Sequence, residues 1–380
     1  MRKVVRGFYA VAHAVKLCRP NIICAYPITP QTEIVENLAE MYANGELENC
    51  KYITAESEFD AASILVGASA TGARTFTATS SQGLILMSEV LFNAAGMRLP
   101  IVIVCANRAL SAPLSIWNDL QDSMALRDAG IIQIYVEDNQ EAHEMIPQAY
   151  KIAESVMFPT MVCIDGFKLT HAYEPVDLLD QEFVDNFLPP YNPPIKLSID
   201  NPLTFGSYAP PHCYMEFRYR MHKDLVKAKE TIEKVFKEWA EIRRDWGGLI
   251  EYKEGKTVLV AMGSLVGTIK EVAEENGLGF LKIRTYRPFP AEEVREALKD
   301  CENVIVFDRA VSFGYEGILT IDIRNALYGE APDVYSFIVG LGGRDVPKSL
   351  IEKCVSKVIN KEIKPGYSFE GLKEFEEVLY

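Results

Sequence analysis

The chain has 380 residues, 48% of them apolar and 24% charged, with 39 lysines and arginines against 53 acids. This composition excludes a disordered chain or a low-complexity tract, and a net charge of −14 makes nucleic acid a poor electrostatic partner. At roughly 100–200 residues per domain, the length predicts two or three domains, each able to bury a core.

Asn21–Tyr26 is a short apolar run, expected as a buried strand. Ile34, Val35, Leu38, Met41 and Tyr42 then recur at helical spacing. Lys51–Thr54, Arg74–Thr79, Pro100–Ala106, Ile131–Val136 and Thr160–Ile164 read as further strands. Phe59–Ala70, Leu84–Ala95 and Gln140–Glu154 read as the helices between them. Such alternation predicts a parallel sheet covered on both faces. Residues 173–213 lose periodicity and carry the proline-dense FLPPYNPP and APPH, which predicts an ordered arm. Met215–Trp246 follows as one long helix, expected to stop at Gly247-Gly248. The arm and helix suit wrapping of another subunit or packing between this chain's own domains.

A second alternating block closes the chain. Its strands are Thr257–Met262, Gly279–Ile283, Val304–Phe307 and Val334–Val339. Its helices are Val266–Glu274, Ala291–Lys299 and Leu319–Leu327. The fold class is therefore α/β: two doubly wound domains, 1–175 and 251–380, joined by the arm and long helix of 176–250.

Several chemistries are excluded by what is missing. There is no P-loop, no complete G-x-G-x-x-G after a strand and no G-x-S-x-G elbow. The eight cysteines are scattered, with no C-x-x-C, so neither a zinc ribbon nor an iron–sulfur ligand run is expected. Unclustered thiols without a signal peptide point to the cytoplasm. No apolar stretch approaches about 18–20 residues, so no membrane span is expected. A metal site in this chain is not expected either.

Three segments at strand ends could carry chemistry. In Tyr26-Pro27-Ile28-Thr29-Pro30, Thr29 reads as a helix N-cap with Pro30 as the first helical residue. Alternatively, the Thr29 hydroxyl and the helix N-terminus face an anion. Glu56-Ser57-Glu58 places two acids before a small-residue helix, either serving its dipole or holding one raised pKa. Arg108 follows another strand and needs an anion: a ligand carboxylate, or a structural salt bridge to Asp119 or Asp122. The turns GSLVG (263–267) and GLGGRDV (340–346) read as packing elements when taken alone.

YPITP, Glu56–Gly72, FTATSSQGLILM (76–87) and Asn107–Asp119 together resemble the α chain of 2-oxoacid:ferredoxin oxidoreductases, most nearly the four-subunit pyruvate:ferredoxin type. The likeness continues through TYRPFP (285–290), FDRAVSFGYEG (307–317) and Gly340–Val346, and is weakest in 175–250. It implies a pyrimidine-side thiamine diphosphate-binding domain followed by a transketolase C-terminal-like domain. It also implies oxidation of a 2-oxo acid with coenzyme A and transfer of electrons to ferredoxin.

Residue roles follow from the same likeness. Glu58, with its spacing to Gly67 and Gly72, takes the place of the acid that exchanges a proton with the cofactor's aminopyrimidine. Thr29 and Arg108 take the places of substrate contacts, Arg108 on the carboxylate. Pro27, Ile28 and Leu114 are expected against the cofactor, and Asp119, Gln121 and Asp122 as loop scaffolding. Mg²⁺ and [4Fe–4S] clusters are expected on partner chains: a β chain completing the thiamine diphosphate site, with γ and δ chains. One arginine for one carboxylate suits pyruvate, with 2-oxobutyrate or branched oxo acids as alternatives. Half of a non-redox thiamine enzyme, or a non-enzymatic docking module, are the readings from other classes.

Overall fold

A computed structural model describes residues 1–373. The first half contains β1 (Arg2–Arg6), α1 (Gly7–Leu17), β2 (Ile22–Ala25), α2 (Thr32–Ala43), β3 (Lys51–Thr54), α3 (Glu58–Ala70) and β4 (Thr75–Thr79). It continues with α4 (Ser81–Leu86), α5 (Ser88–Gly96), β5 (Val102–Asn107), α6 (Gln121–Ala125), β6 (Ile132–Tyr135), α7 (Asn139–Val156) and β7 (Thr160–Asp165). Then come β8 (Tyr173–Asp177), α8 (Gln181–Phe187) and α9 (Tyr214–Ile242). The second half holds β9 (Ile250–Lys253), β10 (Thr257–Ala261), α10 (Leu265–Glu275), β11 (Gly279–Ile283), β12 (Thr285–Arg287), α11 (Ala291–Leu298) and β13 (Asn303–Asp308). It ends with α12 (Ile318–Ala326), β14 (Asp333–Ile338), a 3-10 turn at Leu341–Gly343, α13 (Lys348–Ile359) and β15 (Tyr367–Phe369). Residues 374–380 of the expected 251–380 unit lie outside the described residues.

Short apolar runs with alternating faces make the sheets. Along β5, Val102, Val104 and Ala106 enter one core with α1, α2, α7 and α9, while Ile103 and Cys105 enter another with α3 and α5. The first sheet has the order β12-β6-β7-β5-β4-β2-β3. Its strands are parallel except β12, which is antiparallel to β6. The second sheet, β15-β14-β13-β10-β11-β9, is parallel except at β9. Its Val258, Val260, Val304 and Val306 join the core under α3 and α5, so the two sheets share one apolar layer. β12 belongs to the second half in sequence but lies at the edge of the first sheet.

The chain enters the first sheet at β2, passes to β3 on one side and returns to β4 on the other. Connections therefore leave in opposite directions at β2, and it is beyond the carboxyl ends of strands at such a switch point that sheets of this kind take ligands.

Three local expectations are corrected. The helix expected over 84–95 is two, α4 and α5, meeting at Met87. The arm holds β8, paired with β1, and α8. Its remainder lies against the first half, with the Leu197 N–H bonded to the Ala70 carbonyl (2.8 Å). The long helix ends at Ile242, before Gly247-Gly248. Buried Glu144 accepts from Trp239 Nε1, Arg243 Nε and Trp246 Nε1, each at 3.0 Å. The chain leaves the helix so that all three reach one carboxylate.

A buried ionic cluster joins the halves. Glu141 on α7 lies between Lys282 (2.7 Å) and Arg284 of the second half, and all three are buried. Burial alone would raise the Glu141 carboxyl, but the two cations outweigh it and hold it at about 2. Its folded pKa thus lies below the ordinary 4.5. The stabilisation is present above that value and is lost as pH falls toward about 2. The urea midpoint is expected to fall over that window, and Glu141→Gln to flatten the fall. Parallel pH profiles for the two proteins would contradict this.

Candidate functional site

The turn after β2 does not form as the local sequence suggests. α2 begins at Thr32 with Gln31 at its cap, so neither Thr29 as N-cap nor Pro30 as first helical residue is realised. Buried Gln31 decides it: its Nε2 donates to the Ala78 carbonyl on β4 (2.8 Å), and its Oε1 accepts from the Ile28 N–H (3.1 Å). The turn is thereby stitched to the neighbouring strand. Thr29 and Pro27 stay exposed, with Ile28 half-buried between them. Glu33 stands in the first turn of α2.

Beyond β3, Ser57 caps α3, its Oγ accepting from the Asp60 N–H (3.1 Å). Glu58 becomes the first helical residue and is only 6% exposed, while Glu56 faces solvent. Apart from its own backbone N–H, no hydrogen bond or ion pair reaches the Glu58 carboxyl among the described residues. Burial pushes its pKa up, partly offset by a backbone N–H. Gly83 on α4 allows this placement, because a Cβ there would collide with Glu58 Oε1. A buried carboxyl with no partner side chain and a raised pKa suits a ring nitrogen able to share a proton, so the residues present fit an aminopyrimidine.

Beyond β5, Arg108 is 8% exposed. Its Nη1 donates to the Thr29 carbonyl (2.8 Å) and its Nε to the Ser115 carbonyl (3.0 Å). Thr29 and Arg108 therefore meet, although through the threonine's carbonyl. The expected alternative, a salt bridge to Asp119 or Asp122, does not form. Asp122 instead accepts from the main-chain N–H groups of Arg108 (3.0 Å), Ser81 (2.9 Å) and Ser123 (2.8 Å), and from Asn107 Nδ2 (2.8 Å). Burial raises the Asp122 carboxyl to about 6 against these donors. Asp122 thus ties the β4 and β5 loops together, as scaffolding should. No described carboxylate pairs with the Arg108 guanidinium, and burial lowers its pKa. Such a cation, held only by neutral carbonyls, is arranged to receive an anion, and a carboxylate matches its fork.

Leu114 stands 72% exposed at the tip of the loop after Arg108, apart from Glu58 and Arg108 in burial. Trp117 on the same loop packs on Phe167, ring centroids 4.7 Å apart. Gln31 and Gly83 were not legible as site residues. The available signal was a glycine in the first turn of a helix after a strand, which alone is common. Among the described residues, no group of three or more His, Cys, Asp or Glu converges to hold a metal, and no helix is long and apolar enough to cross a membrane.

Known proteins resemble this chain along its length. Residues 13–237 match the family described as pyruvate flavodoxin/ferredoxin oxidoreductase, thiamine diphosphate-binding. Residues 255–351 match pyruvate:ferredoxin oxidoreductase core domain II. The chain is 49% identical to the pyruvate synthase subunit PorA of Methanosarcina barkeri, covering 97% of this chain and 95% of that one. It is 45% identical to the ketoisovalerate oxidoreductase subunit VorA of Pyrococcus horikoshii, covering 96% and 95%. A solved 2-oxoglutarate:ferredoxin oxidoreductase from Magnetococcus marinus superposes with a TM-score of 0.72 at 20% identity, covering 94% of this chain and 65% of that one. At that identity the likeness speaks for the fold.

Proposed function

The chain belongs to the 2-oxoacid:ferredoxin oxidoreductase family, and on that premise we propose that it is the subunit that binds the pyrimidine side of thiamine diphosphate and the carboxylate of pyruvate. The observation that carries this is the placement, beyond the strand ends of one sheet, of a buried carboxyl with no partner side chain, Glu58, and of a buried guanidinium in no salt bridge, Arg108. Family membership sets aside the non-redox and non-enzymatic readings.

Bound thiamine diphosphate supplies the carbanion chemistry that decarboxylation of a 2-oxo acid requires. Glu58 would hold the pyrimidine side, sharing a proton at Oε with the aminopyrimidine ring nitrogen. Pro27, Ile28 and Leu114 would line the cofactor. Arg108 orients the substrate through its carboxylate, beside Thr29. The segments 1–175 and 251–380 are the two domains, bridged by 176–250 and by the exchange of β12.

The partners supply the rest. A β chain contributes the diphosphate and Mg²⁺ half, and clusters on partner chains carry electrons to ferredoxin, with γ and δ chains completing the assembly. Coenzyme A accepts the acyl group. The compartment is the cytoplasm, in keeping with eight cysteines that form no disulfide.

One arginine serves one carboxylate, which favours a monocarboxylic substrate over a dicarboxylic one. The ketoisovalerate relative makes branched-chain oxo acids the second reading. A panel of pyruvate, 2-oxobutyrate, 2-oxoisovalerate and 2-oxoglutarate on the assembled enzyme is expected to give the highest kcat/KM for pyruvate. A preference for 2-oxoisovalerate would transfer the proposal to that acid, and a preference for 2-oxoglutarate would overturn it.

A further inference from the structure

Two segments of the second half have no part in the site so far: Phe307–Gly317 and Gly340–Val346. Both end against the loop that follows β5. That loop closes through the Ala109 N–H on the Trp117 carbonyl (2.9 Å), and Arg108 Nε donates inward to Ser115. Its base is held from outside. The Arg309 carbonyl accepts from the Leu120 N–H (2.9 Å), and Arg309 Nη2 donates to the Asn118 carbonyl (3.4 Å). The Val311 N–H donates to Gln121 Oε1 (2.9 Å), and the Gly342 N–H to the Asp119 carboxylate (3.0 Å). A Cβ at Gly343 would collide with that of Trp117, so this turn lays bare backbone on the loop.

Arg309 is itself fixed. Its Nη1 donates to both carboxylate oxygens of Asp165 (2.8 Å each), at the end of β7. Asp165 also accepts from the Ser264 N–H (2.7 Å), at the start of α10. The guanidinium is buried and its charge is met, so it has neither reach nor reason to bind substrate. What it can do is hold the loop.

We propose that the second domain positions the substrate site: Arg309 and the Gly340–Gly343 turn clamp the 109–120 loop in the shape that aims Arg108 at the substrate carboxylate. This rests on the reading of Arg108 as the carboxylate ligand. Arg309 and Asp119 touch no reacting atom and are positioning residues. Loosening the clamp misplaces a group that binds ground state and transition state alike, so KM rises while kcat holds.

The test uses the assembled enzyme with pyruvate, carrying Asp119→Ala or Arg309→Gln. Each variant is expected to raise KM for pyruvate roughly tenfold, with kcat and KM for coenzyme A within about twofold. Amide hydrogen exchange over residues 109–120 is expected to quicken. Should Arg309→Gln fail to assemble, Asp119→Ala carries the test, because it leaves the buried Arg309–Asp165 pair intact. Unchanged KM in both variants overturns the inference, and so does a fall in kcat at unchanged KM, the pattern of general damage. Arg108→Gln separates the two layers. If it raises KM while the clamp variants do not, this inference alone falls; if it leaves KM unchanged, the reading of Arg108 falls and the clamp with it.

Discussion

Glu58→Gln is expected to lower kcat of the assembled enzyme by roughly 10²–10⁴-fold, the usual worth of a positioned acid–base group. Glutamine keeps the shape and a hydrogen bond but cannot exchange a proton. Gly83→Ala is expected to follow in the same direction, because its Cβ would displace the Glu58 carboxyl. The measurements are ferredoxin reduction at saturating pyruvate and calorimetric binding of thiamine diphosphate. Retention of more than about a tenth of kcat by Glu58→Gln would remove Glu58 from the chemistry. Stability should move the other way. The folded pKa of Glu58 is raised by burial. Its contribution to stability is therefore complete below the ordinary value and lost as pH rises through the raised one. The glutamine variant is expected to unfold at a higher urea concentration at neutral pH, since it no longer buries an unpartnered charge. A drop in the midpoint would mean that Glu58 has an unrecognised structural partner.

Arg108→Gln is expected to cut kcat/KM for pyruvate by roughly 10²–10³-fold, corresponding to about 3–4 kcal/mol for a truncated charge pair. The effect should fall mainly on KM. Arg108→Lys restores the charge but not the fork, and one ammonium cannot meet the Thr29 and Ser115 carbonyls and a carboxylate with the same geometry. It is expected to recover less than about a tenth of the loss. Wild-type kcat/KM in the glutamine variant would mean that another group anchors the substrate.

Most strands were legible because each is a short β-branched run bounded by turn residues. Lys51–Thr54 and Gly279–Ile283 form over the spans their sequences predict. Thr29 misleads because a threonine followed by proline and a first-turn acid has every local mark of a cap. A bond from Gln31 to Ala78, distant in sequence, overrules it. β1 and β8 are half polar and reveal themselves only to each other. At Arg108 the sequence left a ligand and a salt bridge open, since two acids lie within reach along the chain. The fold spends Asp122 on main-chain N–H groups and leaves the guanidinium without a salt bridge. The clamp on the loop was hidden for the same reason: Arg309 and Asn118 are neighbours only after both sheets have formed.

The placement of β12 also sets a schedule for synthesis. β6 emerges with only one flank covered, by β7, and its other edge waits for Thr285–Arg287. At about 5–20 residues per second, that strand arrives roughly 7–30 s later. Until then the nascent chain shows ribosome-associated factors, or other nascent chains, an open strand able to pair with the wrong neighbour. The same three residues that complete the first sheet also draw the second half against it. A truncated product ending near residue 250 would keep its first half yet lose the cover that keeps it from sticking to copies of itself.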